Sequence, residues 1–125
     1  MNKSLHTFLI AACGFAAAAV VHAADAPYPA KAVRMIVPFA PGGPTDVIAR
    51  VVAAKLSEAW NNQVVVDNRA GAGSALGAEI VARSPADGYT LLFGNISLAF
   101  NQALYANLGY DAVRDFSPEI GRAHV

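Results

Sequence analysis

Pro38-Phe39-Ala40-Pro41-Gly42-Gly43-Pro44-Thr45-Asp46 stands between the apolar run Val33-Arg34-Met35-Ile36-Val37 and a long helical pattern. A second stretch, Asn68-Arg69-Ala70-Gly71-Ala72-Gly73-Ser74, has the same relation to Val64-Val65-Val66 and a shorter helical pattern. Runs of strand formers closed by Pro and Gly, then apolar residues at three- and four-residue spacing, predict two successive βα units. Such alternation implies an α/β fold with a parallel sheet and right-handed crossovers. Both loops then lie at the carboxyl edge of the sheet, where open α/β sheets bind their ligands.

The first helix is expected over 44–60. Pro44 suits the first helical position because its missing N–H costs nothing there, and Asp46 favours the positive end of the helix dipole. Val47, Ile48, Val51, Val52, Leu56, Ala59 and Trp60 supply the apolar spacing, Trp60 as core, and Asn61-Asn62 ends the helix. The run 64–66 is expected to be a strand buried on both faces, as parallel strands usually are. A helix over 74–83 follows, with Ala75, Leu76, Ile80 and Val81 on its inner face and Ser84-Pro85 as its stop. Pro85-Ala86-Asp87-Gly88 is a turn, and 89–93 is the third strand. Gly94-Asn95-Ile96-Ser97 leaves that strand as a third loop at the same edge, and past Ala99 the pattern weakens into loops and short turns.

These loops have the chemistry of an anion site. Helix N-termini present bare amides and a positive dipole end. Gly42, Gly43, Gly71 and Gly73 carry no Cβ and allow close backbone approach. Thr45, Ser74 and Ser97 add hydroxyl donors. Each helix end favours an anion by roughly 0.3–2 kcal/mol, and charge-assisted hydrogen bonds add about 1.5–3 kcal/mol each. Together they reach about −8 kcal/mol, a micromolar affinity suited to capture and release of a small carboxylate. Either loop alone reads more readily as an ordinary structural turn than as a binding loop; two in successive units shift the balance to binding. Ser74 has a second reading as a helix cap. Asp46 has one as a plain first-turn charge, since a carboxylate aimed at an anion would repel it. Arg69 is read as pairing with Asp67 at the surface rather than with a ligand.

Composition narrows the classes. The 125 residues contain nine Lys and Arg against nine Asp and Glu, and no basic block or stripe. Nucleic acid is therefore not an expected partner. Residues 1–23 read as a secretory signal peptide: Lys3, a continuous apolar stretch over 8–21, and Val21-His22-Ala23 before the cleavage point. Ile10-Ala11-Ala12-Cys13 gives a competing lipoprotein reading anchored at Cys13, with a short, His-interrupted apolar region before it. Cys13 is the single cysteine, so an exported protein without disulfides points to the periplasm. The histidines are His6, His22 and His124, which leaves 24–118 without His or Cys. That removes Ser-His-Asp and Cys-His catalysis and the usual zinc sites from this region. No cofactor is expected. Gly71-x-Gly73-x-x-x-Gly77 is a weak dinucleotide match, because it follows the second strand and no acidic residue ends a strand about 20 residues on.

Four blocks carry a resemblance over about 28–118: the segment 33–46, Val66-Asp67-Asn68-Arg69-Ala70-Gly71-Ala72-Gly73, Ala86-Asp87-Gly88-Tyr89-Thr90-Leu91-Leu92, and Asp115-Phe116-Ser117-Pro118. In this order and spacing the chain resembles the extracytoplasmic solute receptors of tripartite tricarboxylate transporters, the Bug-type receptors. The resemblance implies the N-terminal part of lobe 1 of a two-lobed, type II-like periplasmic binding protein, a three-layer parallel-sheet lobe with the second lobe missing. It implies no catalysis and no metal. The partners implied are a small organic carboxylate (tricarboxylate, dicarboxylate, amino acid or aromatic acid) and the large and small integral membrane subunits of the transporter, with the receptor itself a monomer. Carried over by position, the ligand-binding residues would be Phe39, Ala40, Pro41, Gly42, Gly43, Thr45, Asp46, Gly71, Ala72, Gly73 and Ser74, with Asn95 and Ser97. Ser74-Ala75 departs from the Gly and polar residue frequent at that place.

On this reading 24–32 is an extended leader, 33–118 the partial binding lobe and 119–125 a non-native tail. Glu119-Ile120-Gly121-Arg122-Ala123-His124-Val125 corresponds to the translation of a sequencing-library adapter, and the natural chain is expected to continue past Pro118. The chain as written is expected to bind weakly and to leave a sheet edge uncovered. Two alternatives stand beside the transport receptor. One is an exported hydrolase-like enzyme using Asp46 or Asp87 with a metal, which no carboxylate cluster of ligand spacing supports. The other is a receptor of the same fold used for sensing.

Overall fold

The computed structural model describes residues 27–118. The expected signal peptide with Cys13, the cleavage point at Ala23, the start of the leader and the tail 119–125 lie outside the described residues. The elements run β1 (Val33–Val37), α1 (Pro44–Trp60), β2 (Val64–Asn68), a single 3-10 turn (Ala72–Ser74), α2 (Ala75–Ala82), β3 (Thr90–Leu92) and α3 (Ser97–Leu104). All strands are parallel in the order β2-β1-β3. Val33 pairs with Val64 and Val37 with Asn68 on one side of β1, while Arg34 pairs with Thr90 and Ile36 with Leu92 on the other.

β1 and α1 have the limits that the residues dictate. Pro38 closes the strand, Pro44 opens the helix, and Asn61 ends it in the left-handed conformation with its amide turned back to the Glu58 carbonyl. Because the chain steps from β1 outward to β2 and then back across β1 to β3, two right-handed crossovers place α1 and α2 on opposite faces. The alternation of β1 shows both layers. Val33, Met35 and Val37 join Ala49 and Ala53 of α1 and Val64 of β2 in one core, while Ile36, also fully buried, faces the other way.

Four expectations are corrected. β2 is not buried on both faces: it is an edge strand, Val65 is exposed, and α2 crosses over β1 and β3 instead of covering it. On α1, Val47, Ile48 and Val51 are exposed. Its buried face is Asp46, Ala49 and Ala53, with Val52, Leu56 and Trp60 partly covered; the small Ala side chains let the helix settle close onto the sheet. On α2, Leu76 is exposed and the buried residues are Gly77 and Ala78. Finally, Ser97–Leu104 forms a helix rather than loops. Its inward residue is the polar Asn101, which hides the period, while Phe100 and Leu104 lie exposed.

The described part of the leader, from 27 to 32, is docked at the far edge of the sheet. Tyr28 packs on Trp60 and Tyr89 and donates to the Gly88 carbonyl. The Ala30 amide donates to Tyr89 Oη, and Asn62 Nδ2 donates to the Pro29 carbonyl. Among the described residues no helix is long and apolar enough to cross a membrane.

The contact that sets α2 against the loop after β1 is Gly77 on Pro38. A Cβ built on Gly77 would stand 2.6 Å from Pro38 Cβ and 2.9 Å from Pro38 Cα, separations that require the backbone to shift. Gly77→Ala is therefore expected to destabilise the fold by about 1–3 kcal/mol, the usual cost of overpacking. Denaturant unfolding of the variant beside the unaltered protein measures it, and an unchanged midpoint would show that α2 is free to shift.

Candidate functional site

The parallel sheet brings the loops after β1, β2 and β3 to one edge, and side chains then tie them together. After Val37 the chain buries Pro38, half-buries Phe39 and exposes Ala40, Pro41 and Gly42 before α1 begins. Gly43 caps α1 with backbone alone. The Gly43 carbonyl accepts the first helical bond, from the Val47 amide. Among the described residues no acceptor is within reach of the amides of Thr45 and Asp46, which leaves a donor pair at the start of the helix.

Asp46 points inward. Its Oδ2 accepts from the Gly42 amide at 2.8 Å and from Arg50 Nε at 3.0 Å, and its Oδ1 accepts from Asn68 Nδ2 at 2.9 Å. Asn68 Nδ2 also donates to the Phe39 carbonyl, while Arg50 Nη2 donates to Asn68 Oδ1. The ring Asp46-Arg50-Asn68 thus fastens the loop after β1 to the end of β2. The Arg50 hydrogen bond foremost, then the Gly42 amide and Asn68, hold the Asp46 carboxyl well below the ordinary value of 3.8, at about 2. The charge is neutralised inside the loop, so the repulsion that made Asp46 an awkward neighbour for an anion is removed.

The second loop turns through three left-handed residues, Ala72 at φ 45°, Gly73 at φ 60° and Ser74 at φ 80°. Ser74 is buried and makes no capping bond. Its Oγ lies 2.6 Å from Ser97 Oγ and accepts from Asn101 Nδ2 at 3.3 Å. Ser97 opens α3 behind an Asx turn, its amide donating to Asn95 Oδ1 at 2.9 Å. The second and third loops are therefore in contact through their hydroxyls.

The sequence-derived residues sort accordingly. Gly42, Gly43 and Thr45 line the start of α1, while Gly71, Ala72 and Gly73 form an exposed turn beside α2. Asn95 is exposed with its side-chain oxygen engaged, Ser97 is half-buried, and Asp46 and Ser74 are buried behind the surface that they shape. Arg69 pairs with Asp67, as expected. Arg34 bonds the same carboxylate from β1, and Arg34 foremost, then Arg69, pulls its pKa down. Sequence reading missed Arg50, Asn68, Asn101 and Tyr110. Arg50 was legible as the i+4 partner of Asp46 on a helix; the others join through tertiary contacts alone. Among the described residues no three His, Cys, Asp or Glu side chains gather as a metal centre requires.

The model of the tripartite tricarboxylate transporter family receptor, TctC, matches residues 48–122. The chain is 48% identical over 93 residues to the protein BugT of Bordetella pertussis, an alignment covering 73% of this chain and 28% of that protein. Among solved structures it is similar to the periplasmic binding protein BugD, with a TM-score of 0.71 and 42% identity over 73% of this chain and 30% of that one. It is also similar to MatC of Rhodopseudomonas palustris, solved with bound malate, with a TM-score of 0.67 and 36% identity over 73% of this chain and 31% of the other. The chain belongs to the tripartite tricarboxylate transporter receptor family, and its α/β sheet is part of one lobe of such a binding protein. It spans less than a third of the length of these relatives.

A carboxylate held below its unfolded pKa stabilises the fold fully above that unfolded value, and the contribution is lost as pH falls through the folded one. For Asp46 the window runs from 3.8 down to about 2. Asp46→Asn is expected to be less stable than the unaltered protein at neutral pH, and the gap should close across that window. Denaturant unfolding at stepped pH checks it, with a Cγ titration of Asp46 by NMR expected to turn near the lower limit.

Proposed function

We propose that this chain supplies the first part of the binding lobe of a periplasmic receptor. The receptor captures a small organic carboxylate and hands it to the integral membrane subunits of a tripartite transporter. It acts by binding and release, without catalysis. The observation that carries this reading is the joining of the three loops at one sheet edge, through Asp46 to Asn68 and through Ser74 to Ser97. That edge offers donors in excess: unpaired amides at the start of α1, a left-handed turn before α2 and the Ser97 hydroxyl at the start of α3. Two acidic groups near it, Asp46 and Asp67, are committed to arginines. Family membership and the malate held by a similar structure support a carboxylate as the guest.

One half of a ligand is read here. The far end of the molecule needs contacts from outside the described residues, so the chain by itself is expected to bind more weakly than the full-length gene product. The expected guests are tricarboxylates, dicarboxylates, amino acids and aromatic acids; discrimination among them belongs to the opposite wall of the site.

Titration calorimetry of the full-length gene product against malate, citrate, glutamate and benzoate tests the proposal. Micromolar binding of at least one, near −8 kcal/mol, is expected, with the corresponding amides or alcohols failing to bind. Equal binding of a neutral analogue, or hydrolytic turnover of a supplied ester, would contradict it.

A further inference from the structure

The turn Ala72–Ser74 is held in a conformation that its sequence does not favour. Three consecutive residues have φ between 45° and 80°, and two of them, Ala72 and Ser74, carry a Cβ. Left-handed backbone is costly for such residues and persists only where the surroundings impose it. The residue that does so comes from α3. Asn101 is almost wholly buried; one proton of its Nδ2 serves the Gly73 carbonyl at 2.9 Å, and the other is shared between Ser74 Oγ at 3.3 Å and Tyr110 Oη at 3.4 Å. The Gly73 carbonyl can only accept, so the amide nitrogen of Asn101 must face it.

We infer that Asn101 is a positioning residue for the ligand loop: it pins the left-handed turn and directs the Ser97 hydroxyl proton outward. The inference rests on the reading of this loop as ligand-holding. Its first half follows from peptide planarity. In a trans peptide the carbonyl of Gly73 and the amide of Ser74 point in opposite directions, so anchoring the carbonyl on Asn101 turns the Ser74 amide away from the interior. Its second half follows from proton counting. Ser74 Oγ accepts from Asn101, and among the described residues the one acceptor open to the Ser74 proton is Ser97 Oγ. The chain therefore runs from Asn101 to Ser74 to Ser97, and the Ser97 proton is left for a guest.

Asn101 is itself fixed. Tyr110 is buried beside it, donates to the Leu98 carbonyl and stacks edge-on with Phe116 at 5.8 Å. The turn that carries these two rings is closed by the Asp111 amide on Asp115 Oδ2 and by the amides of Val113 and Arg114 on Asp111 Oδ1. Asp115 and Phe116 thereby buttress the second glycine loop from more than 40 residues away in sequence.

The test uses the full-length gene product with three changes: Asn101→Ala, Asn101→Ala combined with Ala72→Gly, and Tyr110→Phe. Amide hydrogen exchange of Gly73, Ser74 and Ala75 without ligand reads the turn, and calorimetry with malate reads the site. Asn101→Ala is expected to speed exchange at these amides and to weaken malate binding about tenfold, the scale of a lost buried hydrogen bond. Ala72→Gly, which accepts φ > 0 freely, should recover part of that affinity in the double variant; a role confined to global stability would give no such recovery. If Asn101→Ala fails to fold, Tyr110→Phe, which removes one hydroxyl, decides by a smaller shift in the same direction. Unchanged exchange at the turn, or a loss that Ala72→Gly does not touch, overturns the inference. Absence of binding of malate, citrate, glutamate and benzoate alike by the unaltered protein counts against the proposed function, and the exchange data still decide the role of Asn101.

Discussion

Parallel pairing on both sides of β1 is the constraint from which the rest follows. Because β2 and β3 both run with β1, every strand ends at the same edge and every following helix begins there. The outward step to β2 and the return to β3 carry α1 over one face of the sheet and α2 over the other, so that both helices start at this edge. An antiparallel partner would have sent one of these loops to the opposite edge, and the bonds from Asp46 to Asn68 and from Ser74 to Ser97 could not form together. Gly77 pressed on Pro38 narrows the arrangement further, bringing α2 against the loop that begins α1.

The charges at this edge are arranged so that its buried carboxylate is paired. A carboxylate in the first turn of α1 suits the helix but opposes a guest. The structure resolves the conflict by turning Asp46 inward onto Arg50, Asn68 and the Gly42 amide. Arg50 is thereby committed to Asp46 and Asn68. The second loop is handled differently: no charge is involved, and an uncommon backbone conformation is imposed by a buried amide, Asn101. Both devices use side chains to shape backbone, and on the proposed reading the donors left for a guest are mostly main-chain groups.

Much of this was legible in the sequence. Proline and glycine punctuation fixed the limits of β1 and α1, and the alternation of strands and helices placed the three loops at one edge of the sheet. What could not be read depended on which faces the neighbours cover. Val65 sits in an apolar run but on an edge strand, and Val47, Ile48 and Val51 follow helical spacing yet lie outside, because Ala49 and Ala53 give the closer approach. α3 was missed since its inward residue is Asn101, and a polar residue at the core position erases the period that reveals a helix. Ser74 and Ser97 were legible as hydroxyls at loop ends; their mutual contact, 23 residues apart in sequence, exists only once β3 is beside β1.

The central claim is that the loop amides at this edge receive a carboxylate, and a crystal structure of the full-length gene product with bound malate tests it most directly. The account predicts a malate carboxylate against the amides of Thr45 and Asp46 or of Gly73 and Ser74, at about 2.7–3.2 Å or through one ordered water, with the Asp46-Arg50-Asn68 ring intact. A carboxylate seated instead on Arg34 and Arg69, or one that draws Arg50 away from Asp46, would contradict it.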